Sequence, residues 1–116
     1  MAPPKRQIVA IGGGGFSVPG DDGVLDDYIL SLTRKGGKRG RRPRICFLPT
    51  ASGDSRDYIV EFYEAFSGGA RGGRAEASHL PLFGMPRPHK EIREFLLSQD
   101  VIYVSGGNTA NMLAVW

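Results

Sequence analysis

The stretch VIYVSGGNTANMLAVW (residues 101–116) decides the fold. Four apolar residues, Val101 to Val104, run into a serine and two glycines, and Asn108 then stands where a helix cap belongs, ahead of Thr109. A short continuous apolar run ended by glycine suits a strand buried on both faces. Asparagine before a run of helix formers signals a helix start. Strand, glycine turn and helix start together form the basic unit of a parallel α/β sheet.

The same pattern recurs upstream. Residues 8–11 (IVAI) and 45–48 (ICFL) are short apolar runs, the first ended by four glycines and the second by Pro49. Val24, Leu25, Tyr28, Ile29 and Leu32 recur at helical spacing, with Asp21 and Asp22 as cap candidates. Tyr58, Ile59, Phe62, Tyr63 and Phe66 repeat that spacing behind Ser52, Asp54 and Ser55. Residues 77–82 form a weaker strand candidate, and Ile92, Phe95 and Leu96 share one face of a third helix. The predicted order is βαβαβαβα over residues 1–116, read as one domain. Ligands of such sheets bind beyond the carboxyl ends of the strands. The loops to inspect are therefore GGGGFSVPGDD, PTASGDS, LFGMPRPH and SGGNTAN.

Composition excludes several classes. The chain has 116 residues with 41% hydrophobic and 23% charged, an ordinary globular balance. No apolar run approaches the roughly 20 residues of a membrane span, and the apolar stretch near the N-terminus is too short for a signal-peptide core. With a single cysteine there is no internal disulfide framework, so a cytoplasmic location is expected. The net charge of +3 comes from residues 35–44, KGGKRGRRPR, which hold six basic residues and no acid. Such a run can attract nucleic acid. Glycine, proline and the lack of interleaved aromatics read instead as a solvated connection, so nucleic acid is not expected as a partner.

The four loops differ in the chemistry they can hold. Gly12 and Gly14 fit two positions of a dinucleotide-binding G-x-G-x-x-G, but Ser17 holds the third, and no acid ends the second strand to bind a ribose. No G-K-[ST] occurs, and no His/Cys set has zinc-ligand spacing, so neither a cofactor nor a metal is expected. Capping explains the residue types of PTASGDS, although its N–H groups could also receive an anion. His79 and His89 lack a triad context, and Cys46 reads as a small apolar residue in a strand. SGGNTAN is richer: two glycines and a cap expose backbone N–H groups suited to an oxyanion, with an asparagine beside them to orient an amide or carboxylate. A plain turn plus cap explains it equally well.

Taken in order, IVAIGGGGF, ICFLPTASGDS and QDVIYVSGGNTANMLAVW resemble the peptidase E (aspartyl dipeptidase) family of serine peptidases, within the class I glutamine-amidotransferase-like group. The resemblance covers nearly the whole chain, and its most specific element is the strand followed by GGNTANML, residues 106–113. It implies a flavodoxin-like three-layer α/β sandwich and a Ser-His-acid hydrolase working through an acyl-enzyme on short peptides, those with N-terminal aspartate included. The family's oxyanion-hole N–H maps onto Gly107, with Gly106 and Asn108 as substrate-binding neighbours. Ser105 replaces the first glycine of the usual GGGN. No G-x-S-x-G occurs in the sequence, so the resemblance implies that the nucleophilic serine, histidine and acid lie beyond residue 116. The expectation is an N-terminal portion, cut after the fourth strand and the start of its helix, inactive alone and completed by a C-terminal remainder in the same or a separate chain. Homo-oligomerisation stays open. The alternative from another class is a non-catalytic module binding a small anion at its glycine loops.

Overall fold

The run over residues 45–48 forms the middle of the sheet. The computed structural model describes residues 5–20, 23–33, 42–68, 73–84 and 87–116. Strand β1 (Arg44–Leu48) is flanked by β2 (Glu76–His79) and β3 (Val101–Val104), in the order β2-β1-β3 with both pairings parallel. The register sets Cys46 opposite Ser78 on one side and Ile102 on the other. Helix α1 (Val24–Ser31) precedes the strands, α2 (Arg56–Phe66) and α3 (His89–Leu97) connect them, α4 (Thr109–Val115) follows β3, and a short 3₁₀ turn, Thr50–Ser52, leaves β1.

Alternation along β1 divides the core into two layers. Ile45 and Phe47 point to one face, where α2 brings Phe62 and Phe66, and α1 brings Leu30. Cys46 and Leu48 point to the other, where α3 brings Ile92, Phe95 and Leu96. The helix faces follow from the topology. The crossover from β1 moves to β2, and the next crosses back over β1 to β3. If both are right-handed, α2 and α3 must lie on opposite sides. The result is an α/β fold compatible with a flavodoxin-like sandwich.

Aromatic packing dominates the first layer. Phe47 and Phe62 stack at 4.8 Å between ring centroids, with an interplanar angle of 12°. Phe16, from the glycine-rich loop, meets both edge-on at 5.4 and 5.6 Å. Such rings bury large apolar areas and gain further from offset and edge-to-face geometry. Arg74 secures the rim of this layer: it pairs with Asp27 of α1, donates to the carbonyl of Ala65 and lies over Phe66 at 5.1 Å.

One expected strand is absent. Residues 8–11 are described but make no strand, and Ile8 is 98% exposed. The element order therefore begins at α1, with three strands among the described residues. Continuous hydrophobicity qualifies a segment for a buried strand but does not by itself pair it. Here β1 carries β2 on one edge and β3 on the other, and residues 8–11 lie across a cleft from β3 without pairing to it. The four glycines that follow raise the entropy cost of fixing the run. The outward face of β3 is correspondingly open, with Ile102 and Val104 40% and 44% exposed.

Asp21 and Asp22 fall outside the described residues, and α1 is entered through Gly23 in the left-handed region, φ 79°. Ser55 occupies the cap position of α2 but makes no side-chain capping bond. Ser52 takes that part indirectly: its Oγ accepts from Ser55 N at 3.3 Å and donates to Pro49 O at 2.8 Å. Asn108 caps α4 as its position in the sequence implies, with Oδ1 accepting from Asn111 N at 2.9 Å. Residues 35–41 of the basic run lie outside the described residues.

Candidate active site

Parallel pairing of β1 and β3 brings the loops PTASGDS and SGGNTAN side by side at the carboxyl ends of their strands. Three hydrogen bonds lock them. Ser105 N donates to Leu48 O at 3.1 Å, continuing the ladder by one residue. Asn108 N donates to Ala51 O at 2.7 Å. Trp116 Nε1 reaches back from the end of α4 to Thr50 Oγ1 at 3.2 Å. A third loop joins through Asp54, whose Oδ2 accepts from Phe83 N at 3.0 Å. Asp54 itself holds a left-handed backbone, φ 55°. PTASGDS, SGGNTAN and Phe83 thus form one connected rim.

Gly107 sits where that rim is tightest. Its φ is 143°, a region that L side chains rarely occupy, and a Cβ there would collide with the carbonyl of Ala51. Gly106 has open space around its Cα. Both glycines are exposed, and neither backbone N–H has a hydrogen-bond partner among the described residues. Exposed, rigidly placed N–H donors at a strand-to-helix turn have the composition of an anion-holding nest. Asn108 commits its Oδ1 to the helix cap, so it is its side-chain amide NH₂ that stays available for a substrate carbonyl or carboxylate. Ser105, which stands in the first position of the turn, has a buried Oγ with no partner among the described residues.

The glycine-rich loop reaches the same region from the other side of β3. Gly13, Gly14, Ser105 and Gly106 line a cleft of about 870 Å³ that runs beside β3. The other titratable candidates lie elsewhere. His79 is on β2, with Nδ1 2.7 Å from Tyr63 Oη and the two rings edge-on at 5.5 Å, a packing arrangement. His89 is exposed at the start of α3. Cys46 is fully buried, and burial pushes its thiol up to about 11, the opposite of a reactive thiolate. Among the described residues there is no group of three or more His, Cys, Asp or Glu that could hold a metal ion, and no helix long and apolar enough to cross a membrane. The sequence did not show that Ala51 and Thr50 support the glycine turn and its helix; both are small and carry no motif, and only the strand pairing exposes their role.

Residues 8–116 match the model of peptidase family S51. The chain belongs to peptidase family S51. It is 48% identical over 111 residues to the Bacillus subtilis (strain 168) protein named uncharacterized peptidase YgaJ. That similarity covers 96% of this chain and 44% of YgaJ, so the S51 chain spans less than half of its relative's length. No solved structure matches it at a significant level. The family match includes the whole strand, glycine turn and helix of residues 101–115, and thus the rim described above.

Proposed function

We propose that the S51 chain supplies the oxyanion side of a serine-type peptidase site that hydrolyses short peptides, dipeptides with N-terminal aspartate among them. The observation that carries this reading is the pair of exposed N–H groups at Gly106 and Gly107, fixed by the Asn108 to Ala51 hydrogen bond, in a chain of a peptidase family. In this reading a serine outside residues 1–116 attacks the scissile carbonyl. The carbonyl oxygen becomes an oxyanion, and the Gly107 N–H donates to it, with Gly106 beside it. Donors fixed before reaction are worth far more than donors that must reorganise; removing one costs about 100- to 1000-fold in turnover. The Asn108 side-chain amide orients the substrate. Collapse of the intermediate expels the leaving amine and leaves an acyl-enzyme, which water then hydrolyses. The histidine and acid come from the same C-terminal remainder as the serine, whether in one chain or in a separate one.

The test is to express the reading frame that contains this chain through its natural end and assay Asp-Xaa and Ala-Xaa dipeptides. A serine-directed fluorophosphonate should label the product and abolish turnover. Hydrolysis that persists after complete labelling, or no hydrolysis of any dipeptide by a folded protein, would count against the reading. The latter result would favour a module that only binds small anions.

A further inference from the structure

We propose that Tyr103 and Asp26 form a latch that positions the glycine-rich loop as a wall of the site, a role that rests on the peptidase reading above. Tyr103 is on β3, two residues before Ser105, and its side chain points into the α1/α2 layer. Its hydroxyl donates to Asp26 Oδ1 at 3.5 Å. Asp26 is a carboxylate in the first turn of α1, 1% exposed, where the positive end of the helix favours a negative charge. A buried carboxylate is retained at a cost unless its neighbours hold it. This one lies 77 residues from Tyr103 in sequence and ties α1 to the sheet.

The third member of the contact is Gly15. It is buried with φ 94°, and a Cβ there would strike the Tyr103 hydroxyl and approach Asp26 Oδ1 at 3.7 Å. The loop backbone therefore passes directly over the Tyr103–Asp26 pair, which only glycine allows. Two further features hold the segment in place. Gly15 O accepts from Val18 N at 3.1 Å, closing a turn. The next residue, Phe16, packs on Tyr103 at 5.2 Å between centroids. On the far side of Gly15, Gly13 and Gly14 line the same cleft as Ser105 and Gly106. Fixing Gly15 thus fixes backbone that lines the same cleft as Gly106, the neighbour of the proposed donor Gly107. Tyr103 and Asp26 touch no reacting atom in this scheme and act through the loop as positioning residues.

Tyr103→Phe keeps the ring and its packing while removing the hydroxyl, and Asp26→Asn keeps shape while removing charge. In Met1–Trp116, amide exchange at Val18 reads the loop turn, and exchange at Leu80, whose N–H donates to Phe47 O, reads the sheet. Both variants should speed Val18 exchange by about fivefold, the net worth of one ordinary hydrogen bond, and leave Leu80 unchanged. In the hydrolytically competent polypeptide the same variants should raise KM for a dipeptide about tenfold while kcat stays within a factor of about two. Unchanged Val18 exchange in both variants would overturn the latch whatever the enzyme does. Faster Val18 exchange with kcat and KM both unchanged would overturn the wall. Faster exchange in a protein that hydrolyses no peptide would leave the latch standing and count against the peptidase reading alone.

Discussion

Replacing Gly107 with alanine puts a methyl group into the backbone of the neighbouring loop. The new Cβ would overlap the carbonyl of Ala51 and lie 2.9 Å from Ser52 N, so no flexible side chain can yield to it. Three costs combine. A non-glycine residue held at φ 143° is strained by about 1–3 kcal/mol. Overpacking against fixed atoms adds about 1–3 kcal/mol. If the loops part to relieve it, the Asn108 to Ala51 hydrogen bond is lost, worth about 1 kcal/mol net. Since the chain can relieve one cost by accepting another, we expect about 3–5 kcal/mol in total, a large fraction of a typical domain's 5–15 kcal/mol. Gly106→Ala is the control, because a Cβ there meets nothing within 4 Å, and about 1 kcal/mol or less is expected. Urea unfolding of both variants measures the difference. With a slope typical of small proteins, the Gly107→Ala midpoint should fall by about 2 M relative to Gly106→Ala. Equal midpoints would refute the claim that the two loops are locked at Gly107.

Other outcomes follow from the same contacts. Asn108→Ala should destabilise by about 1 kcal/mol by removing the cap on Asn111 N, and Asn108→Ser should recover most of that, both read by urea midpoints. Ser105→Ala should stabilise by about 1 kcal/mol, since it removes a buried hydroxyl without a partner among the described residues, and a drop in the midpoint would contradict this. Cys46 should resist a thiol reagent at pH 8 until the protein unfolds. Its thiol is raised from 9.0 to about 11 by burial, so the unfolded chain ionises first. Stability should therefore be unaffected by this group below pH 9, fall between pH 9 and 11, and level off above. The loss should be absent in Cys46→Ala.

Local chemistry and the parallel α/β class were legible in the sequence, but which apolar segments pair was not. Asn108 could be read as a cap because capping depends on one side chain and an amide three residues away. The apolar faces of α2 and α3 were legible through their period, and Phe62, Phe66, Ile92 and Phe95 face the core accordingly. Residues 8–11 look as apolar as residues 45–48, yet only the latter pair, because strand formation depends on a partner edge that a single segment does not encode. The candidate site divides in the same way. The glycines of the turn stood out by composition, whereas Ala51, the carbonyl that holds the turn, became visible only through the alignment of β1 with β3. Likewise, neither Asp26 nor Tyr103 carries a motif, and their contact spans 77 residues of sequence.

The most direct test of the oxyanion assignment is the amide proton of Gly107 in the hydrolytically competent polypeptide, observed by NMR with and without a peptidyl boronate bound to its serine. The assignment predicts a marked downfield shift of the Gly107 proton when the tetrahedral adduct forms, with a smaller one at Gly106. A saturated adduct that leaves both resonances where they were would contradict it.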